Sequence, residues 1–499
     1  MRLAGVLFAC SLAALQADRP EDLVTSLPGF EKIKWNFKVY SGFLDVPGPF
    51  KLNEYDSLKI HYQFHTSQNN PAKDPLATWH QGGPGGSSIA TGLFGEMGYF
   101  HLAESGNFAN PWAWNNVANM LYLDSPAGVD YSQCIKGNKV VNCKWNDVNQ
   151  GEAYAHTLQA FYKAFPEFQK NDLYLTGESY FGQYGPNIAH FIINNEPFKT
   201  SLPLKGLALG NACWGGNATL VACNGPSEDK IDVDLYYGKG LFSPRLKAEI
   251  DKTCKFPTHY TTGDDDPSGL PGHEYLGKTC KQLLKEMHHE VGPHNIYNIY
   301  DNCPETEAFL SRTGKDMQWL RGELRKGATN PRAMHKKLTE LNGGYQWACP
   351  ADANSWLARN DVQKALHLNH TGQSDFDYDS TGPASITLYP ELAKKLRILI
   401  FNGDADSCVP YNGNLEWIGS LEDKNILTVA HPWTPWYTSK KVTPAGYKTQ
   451  YVVLDSGKDF TFMTIRLAGH MVPQFQPEPA LVMLKSFLQG PGMDFEAVV

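Results

Sequence analysis

Beyond its first 17 residues the 499-residue chain has no stretch of about 18 uninterrupted apolar residues, so no segment is long enough to cross a bilayer as a helix. It has no run of basic residues and no acidic tail, which removes the usual electrostatic footprint of a nucleic-acid binder. No Cys-x-x-Cys or His-Glu-x-x-His spacing occurs, and the adjacent His288 and His289 would point in different directions on a helix. Neither a metal nor a cofactor is expected. Internal repeats and low-complexity segments are also missing. The formal net charge is −8, and protonating all 16 histidines would carry it to +8. The chain is therefore near neutrality between about pH 5 and 7, a tolerable balance for an acidic lumen.

What the chain does have begins at its start. Met1–Ala17 reads as a secretory signal: Arg2, then the apolar run Leu3–Leu15, then alanines near a cut. Residues 18 onward are expected to be soluble in the secretory pathway, in an extracellular, lysosomal or vacuolar lumen. There Asn217 and Asn369, each in an Asn-x-Ser/Thr sequon, would be reachable by glycosylation. Ten cysteines become nine once Cys10 leaves with the signal, so at least one is unpaired. Cys134 and Cys143 flank a turn they could staple, and Cys213 and Cys223 bracket a Gly-rich loop. Cys254, Cys280, Cys303 and Cys349 could make two more bridges in an order the spacing leaves open, with Cys408 as the free thiol.

The densest chemistry lies at Leu173–Gly182. A short apolar segment ends in Ser179, with Gly177 before it, Gly182 after it and an apolar, helix-compatible stretch beyond. A strand turning sharply into a helix exposes the turn residue on a strained backbone, and small residues let the two elements pack closely. Arg397–Asp404 reads as a buried strand running into a turn at Asp404, and Ile465–His470 repeats the pattern before the Val472-Pro473 break. The order Ser179, Asp404, His470, each at the carboxyl end of a strand, is that of an α/β-hydrolase and not of the chymotrypsin or subtilisin arrangements. In such a set Ser179 attacks a carbonyl, His470 shuttles its proton and Asp404 fixes the imidazole. Before the serine, Trp79–Ser88 carries consecutive glycines whose bare N–H groups can hold an oxyanion or a carboxylate. The amide of Tyr180 would be a second oxyanion donor.

These residues resemble the serine carboxypeptidases. The resemblance runs from Ser26–Gly29 and Tyr40–Val46 through His61–Phe64, Trp79–Ser88, Leu123–Gly128 and Gly177–Tyr180, then Asn360–Leu366, Asn402–Asp406 and Gly469–Pro473. Little sequence precedes the first block, so no long N-terminal pro-segment is expected. The resemblance implies Ser179, Asp404 and His470 as the triad and the N–H groups of Gly83 and Tyr180 as the oxyanion hole. It implies that Gln81, the Gly82 amide and Glu178 hold a substrate's C-terminal carboxylate, with Glu96 hydrogen-bonded to Glu178, and that Met471 lines the pocket for an apolar leaving residue. A glutamate beside a carboxylate must be protonated to donate, so peptide binding should weaken as pH rises through a raised Glu178 pKa. Three departures stand out. Gln81 stands where the family usually has Asn, Gly86 where it usually has a bonded Cys, and Ile89–Glu96 is one residue longer than usual.

The expected fold is an α/β-hydrolase with a mostly parallel central sheet, helices on both faces and an inserted, mainly helical cap. Strands are expected near Leu76–Trp79, Met120–Leu123, Leu173–Thr176, Gly206–Leu209, Leu399–Asn402 and Phe462–Ile465. Helices such as Ala153–Phe165, Val362–Leu368 and Leu481–Leu488 would cover them. Residues 18–211 and 350–499 would form the core. Residues 212–349 would form the cap, with charged helices at Arg245–Thr253, Lys281–His289 and Met317–Leu324 and loops such as Thr261–Gly269. The expected activity is serine-type removal of single C-terminal residues from peptides and proteins at acidic pH. The partners would be substrates with a free C-terminus, with no nucleic acid and no membrane, and a homodimer is left open. The competing readings are acyl transfer by the same residues to an alcohol, and a protective or scaffolding partner protein.

Overall fold

Apolar residues on both faces of short segments create the centre of the molecule. In Leu173–Glu178, Leu204–Gly210 and Arg397–Gly403, successive side chains enter opposite cores: Leu175, Leu207, Leu209, Ile398 and Ile400 one, Tyr174, Ala208, Leu399 and Phe401 the other. Alternation with both faces buried is the mark of a strand inside a three-layer sheet. The computed structural model describes residues 19–103, 106–214, 223–224, 227–256, 277–301, 353–368, 374–380, 384–438 and 443–490. The signal segment Met1–Ala17, both sequons, Cys303, Cys349, Thr261–Gly269 and Met317–Leu324 lie outside the described residues.

The main sheet comprises β1 (Val39–Pro47), β2 (Ser57–His65), β3 (Leu76–His80), β4 (Asn119–Leu123), β5 (Gln133–Lys136) and β6 (Lys139–Val141). It continues with β7 (Leu173–Glu178), β8 (Leu204–Gly210), β9 (Arg397–Gly403), β10 (Leu427–Trp436), β11 (Gly446–Val453) and β12 (Asp459–Ile465). Its order is β10-β11-β12-β9-β8-β7-β3-β4-β2-β5-β6, with β1 paired to β2. The six central strands β12-β9-β8-β7-β3-β4 are parallel, and they are the six expected from the apolar runs. The flanks are antiparallel. Because the central strands share a direction, the residues that follow them gather on one rim: Gln81, Asp124, Ser179, Asn211, Asp404 and His470.

Helices α1 (Asn149–Ala164) and α2 (Phe181–Asn194) cover one face. The C-terminal helix Pro477–Gln489 and the π-helix Ser88–Met97 cover the other. Wider i→i+5 winding takes up an extra residue, which matches the added length noted in this stretch, and such turns recur at functional sites. Ser87 starts it by accepting the Ala90 N–H at 3.0 Å. Asn360–Ala365 is also helical, two residues earlier than expected.

Between β8 and β9 lie α3 (Glu228–Gly238), α4 (Pro244–Thr253) and α5 (Lys278–Val291). Ser243 caps α4 through the Leu246 N–H, with Pro244 at its first turn. These helices bury their own small core, including Tyr236, Leu246, Ile250, Leu284 and Met287. This is the inserted helical cap, so far as the described residues reach. Disulfides join Cys134 to Cys143, Cys213 to Cys223 and Cys254 to Cys280, while Cys408 is a free thiol. Among the described residues no helix is long and apolar enough to cross a membrane.

Candidate active site

Ser179 sits between β7 and α2 with φ of 61°, a left-handed backbone that a serine adopts only under constraint. Three backbone bonds impose it: the Ser179 N–H donates to the Gly210 carbonyl at 2.9 Å, and its own carbonyl accepts from Gly182 at 2.9 Å and Cys213 at 3.0 Å. The elbow closes only because Gly177 and Gly182 lack side chains. A Cβ there would meet the His80 carbonyl at 2.3 Å or the Cys213 carbonyl at 2.1 Å. Ser179 is the one partly exposed residue in a buried stretch.

His470 is 3 % exposed, and its Nδ1 lies 2.7 Å from Asp406 Oδ2. That corrects the expected triad. Asp404 makes no bond to the imidazole; it accepts the Leu467 N–H at 2.7 Å and pairs with Lys239 Nζ at 3.5 Å on the rim. The reason is local. The strand ends at Gly403, the Asp404 N–H still donates to the Ile465 carbonyl, and the chain turns at Asp404 and Ala405, so Asp406 comes after the turn. Asp406 is fully buried and accepts from Asn211 Nδ2 at 2.7 Å, the Cys408 N–H at 2.9 Å and the Val409 N–H at 3.2 Å. A carboxylate so fixed can orient an imidazole and select its tautomer.

The cap segment reaches the same place. Tyr297 accepts the His470 N–H at 2.7 Å, and its ring lies 5.0 Å from the imidazole. Ser407 N–H donates to Ile296 at 2.8 Å, and Ile299 N–H to Ala405 at 2.9 Å. Both the carboxylate loop and the histidine loop are thus tied to residues 296–299. Burial alone would lower the His470 pKa, but the Asp406 charge, its hydrogen bond and nearby Glu178 raise it above the ordinary value. His470 Nε2 is buried without a hydrogen-bond partner. In serine–histidine pairs this bond often tightens only when substrate binds.

The Gly-rich loop folds against the serine. A Cβ on Gly82 would lie 2.4 Å from Ser179 Cβ, 2.5 Å from the Tyr180 amide nitrogen and 2.8 Å from Ser179 Oγ. The volume left by that missing side chain is where the hydroxyl and the Tyr180 N–H face each other. Tyr180 is held from behind, its hydroxyl donating to Asp147 Oδ1 at 2.9 Å, and Tyr378 donates to the same oxygen at 2.8 Å. Gly83, with φ of 118°, is exposed beside this space.

Next to the serine, Glu178 is fully buried. Gln81 Nε2 donates to its Oε1 at 2.6 Å, while Gln81 Oε1 accepts from the Trp79 indole at 3.0 Å. The extra methylene of Gln81 therefore does not cost contact with Glu178. Burial pushes the Glu178 pKa up to about 7, against the opposing pull of His470, Gln81 and Glu96. Glu96, also fully buried, neighbours Glu178 and Gln81; burial and then the Glu178 charge raise its pKa well above the carboxylate range. Glu178 Oε2 and both Glu96 oxygens have no bond of ordinary geometry. The structure thus brings together Gln81, Gly82, Glu178, Glu96, Tyr180 and Ser179, with His470 near enough to Glu178 for their charges to interact. Met471 follows as a half-buried side chain packed on the apolar layer below. Asp406, Asn211 and Tyr297 are the site residues that sequence reasoning missed. Asp406 had a faint signal, an Asp accepting the amides two and three residues on, as in an Asx turn. Among the described residues no cluster has the ligands to hold a metal ion.

A family model described as serine carboxypeptidase matches residues 28–490. Serine carboxypeptidase-like 31 of Arabidopsis thaliana is 30% identical over 494 residues, covering 94% of this chain and 89% of the relative. Serine carboxypeptidase 24 of the same plant is 30% identical over 490 residues, covering 95% and 93%. The fold is that of a solved prohormone-processing carboxypeptidase from Saccharomyces cerevisiae, with TM-score 0.62 at 18% identity over 94% of this chain and 96% of that one. By its matched length, its fold and its relatives, the chain belongs to the serine carboxypeptidase family.

Proposed function

We propose that the protein removes single residues from the C-termini of peptides and proteins through an acyl-enzyme, at acidic pH. The observation that carries this reading is the buried, protonatable Glu178 beside Glu96 and the Gln81 amide, directly next to the elbow serine. A neutral carboxyl in an apolar setting can donate to a substrate carboxylate where an ionised one would repel it. Placed one residue from the nucleophile, such a site selects the peptide bond nearest the free C-terminus.

In this reading Ser179 Oγ attacks the carbonyl carbon of that bond as His470 Nε2 takes its proton. The negative oxygen that forms is held by the N–H groups of Tyr180 and Gly83. Collapse breaks the C–N bond, the imidazolium returns its proton to the leaving amine, and the terminal residue departs. Water then attacks the ester by the same route and restores Ser179. Asp406 orients the imidazole throughout. Deprotonation of Glu178 near pH 7 bounds peptide turnover on the alkaline side, and protonation of His470 bounds it on the acidic side. Neutral Glu178 also removes one influence that raises the His470 pKa, so the binding-competent form keeps its base easier to deprotonate. The disulfides among the described residues support an oxidising lumen as the working compartment.

The test is an N-blocked dipeptide offered at pH 5 with a free carboxylate or as its C-terminal amide, alongside a longer peptide. Stepwise release of terminal residues, a strong preference for the free acid and loss on Ser179→Ala are expected. Transfer of an activated acyl donor to an alcohol without peptide cleavage would overturn the reading.

A further inference from the structure

Within the Gly-rich loop, Gly86 is not explained by its backbone. Gly83 and Gly85 adopt φ of 118° and 96°, but Gly86 lies outside the left-handed region and any residue could take its conformation. What Gly86 leaves open is space. A Cβ on it would stand 2.9 Å from Gln81 Cγ, 2.9 Å from the Gly82 carbonyl oxygen and 3.4 Å from Gln81 Cβ. Its N–H donates to that same carbonyl at 2.9 Å, so residue 86 also closes the loop that presents the Gly82 and Gly83 amides.

Gln81 cannot easily move out of the way. Its backbone N–H donates to Ser88 Oγ at 3.1 Å, its side-chain oxygen accepts from Trp79 and its side-chain nitrogen donates to Glu178. With backbone and amide both pinned, the methylenes between them must fold sideways, and they fold over the Cα of Gly86. We infer that Gly86 is a positioning residue for carboxylate recognition: its missing side chain is the volume that lets Gln81 reach Glu178. This rests on the carboxylate-binding reading proposed above. A methyl group at 86 must push the Gln81 stem or the Gly82 carbonyl by about 0.5 Å, on the order of the tolerance of a preorganised site. A displacement of that size weakens recognition about tenfold, given that about 1 Å can cost about 10²-fold.

The experiment compares wild type, Gly86→Ala, Gln81→Asn and the double variant Gln81→Asn/Gly86→Ala. Each is assayed with an N-blocked dipeptide as its free acid and as its C-terminal methyl ester, between pH 4 and 8, with thermal melts in parallel. Gly86→Ala is expected to raise the ratio of KM for acid over ester about tenfold. The double variant should recover most of that ratio, because the shorter Asn stem does not have to cross residue 86. Recovery also demonstrates that the alanine is tolerated by the fold. An unchanged ratio in Gly86→Ala, or a double variant in which the two effects simply multiply, overturns the inference while leaving the carboxylate site standing. A wild type that treats acid and ester alike overturns the carboxylate site and this inference with it.

Discussion

Two aspartates two residues apart compete for one role, and substitution separates them. Asp406→Asn exchanges the oxygen 2.7 Å from His470 Nδ1 for a group of ambiguous orientation. An amide nitrogen in the place of Oδ2 faces both His470 Nδ1 and Asn211 Nδ2, which forces the wrong tautomer and sets two donors against each other, and in the place of Oδ1 it faces the Cys408 N–H. Loss of such an orienting carboxylate lowers kcat by about 10⁴ where a serine–histidine pair depends on it. At 1.36 kcal/mol per decade this is about 5 kcal/mol of transition-state stabilisation. Asp404→Asn loses only a 3.5 Å rim pair with Lys239, and its carbonyl can still accept the Leu467 N–H. That change is worth less than about 1 kcal/mol, with kcat within about threefold of wild type. Initial rates on an N-blocked dipeptide at pH 5 and 6, with thermal melts, distinguish the two. Asp406→Glu keeps the charge but moves it by about 1 Å and should retain more activity than Asp406→Asn. A folded Asp406→Asn enzyme with near-normal kcat beside a crippled Asp404→Asn would refute the assignment.

Glu178→Gln should give a peptide KM nearly constant from pH 5 to 8, whereas wild-type KM climbs about tenfold per unit above the Glu178 pKa of about 7; parallel KM–pH curves would contradict the proton count. Ser179→Gly should abolish turnover yet raise stability by about 1 kcal/mol in urea melts, because glycine relieves the φ of 61°. Replacing both Cys254 and Cys280 by Ser opens a bridge of sequence separation 26 and should lower unfolding free energy by about 3–4 kcal/mol, read from the urea midpoint. Asp130, pushed up to about 6 chiefly by burial and then by the Asp124 charge, is an acid whose folded pKa exceeds its unfolded one. Its stabilising contribution is complete below about pH 4 and disappears as pH rises through about 6, so Asp130→Asn should flatten the fall in Tm between pH 4 and 6.

The parallel centre of the sheet was legible because each of its strands is a short apolar run with a turn after it. The antiparallel flanks were not. β10 exposes eight consecutive residues, includes Pro432 and Pro435, and has register shifts against β11, so neither periodicity nor composition marks it as a strand. Edge strands owe their pairing to the neighbour, and a propensity argument does not see the neighbour. The elbow serine and the histidine were readable for the opposite reason, while Gln81 and Glu178 were placed in one site only through the family resemblance. Ser179 directly follows one buried parallel strand and His470 lies a short turn beyond the end of another, and parallel strands deliver their ends to a common rim.

The carboxylate that orients His470 escaped that logic because its position is not set by the strand that precedes it. From sequence, Asp404 is the better candidate: it stands where the apolar run stops. What promotes Asp406 is Asn211, 195 positions away at the end of β8, whose amide donates to Asp406 Oδ2 at 2.7 Å, and a turn that brings the Cys408 and Val409 amides onto the same carboxyl. Tyr297 is further removed still, since it comes from the cap and reaches His470 through a backbone carbonyl that no side-chain identity advertises. A site assembled this way has nucleophile and base dictated locally and their orientation dictated by contacts between distant loops. Substitutions at Asn211 or in residues 296–299 should therefore lower kcat by disordering the imidazole while leaving the serine elbow intact. Labelling of Ser179 by a phosphonate that needs no proton transfer should persist in those variants when peptide turnover does not; loss of both together would mean that the distant loops build the elbow as well.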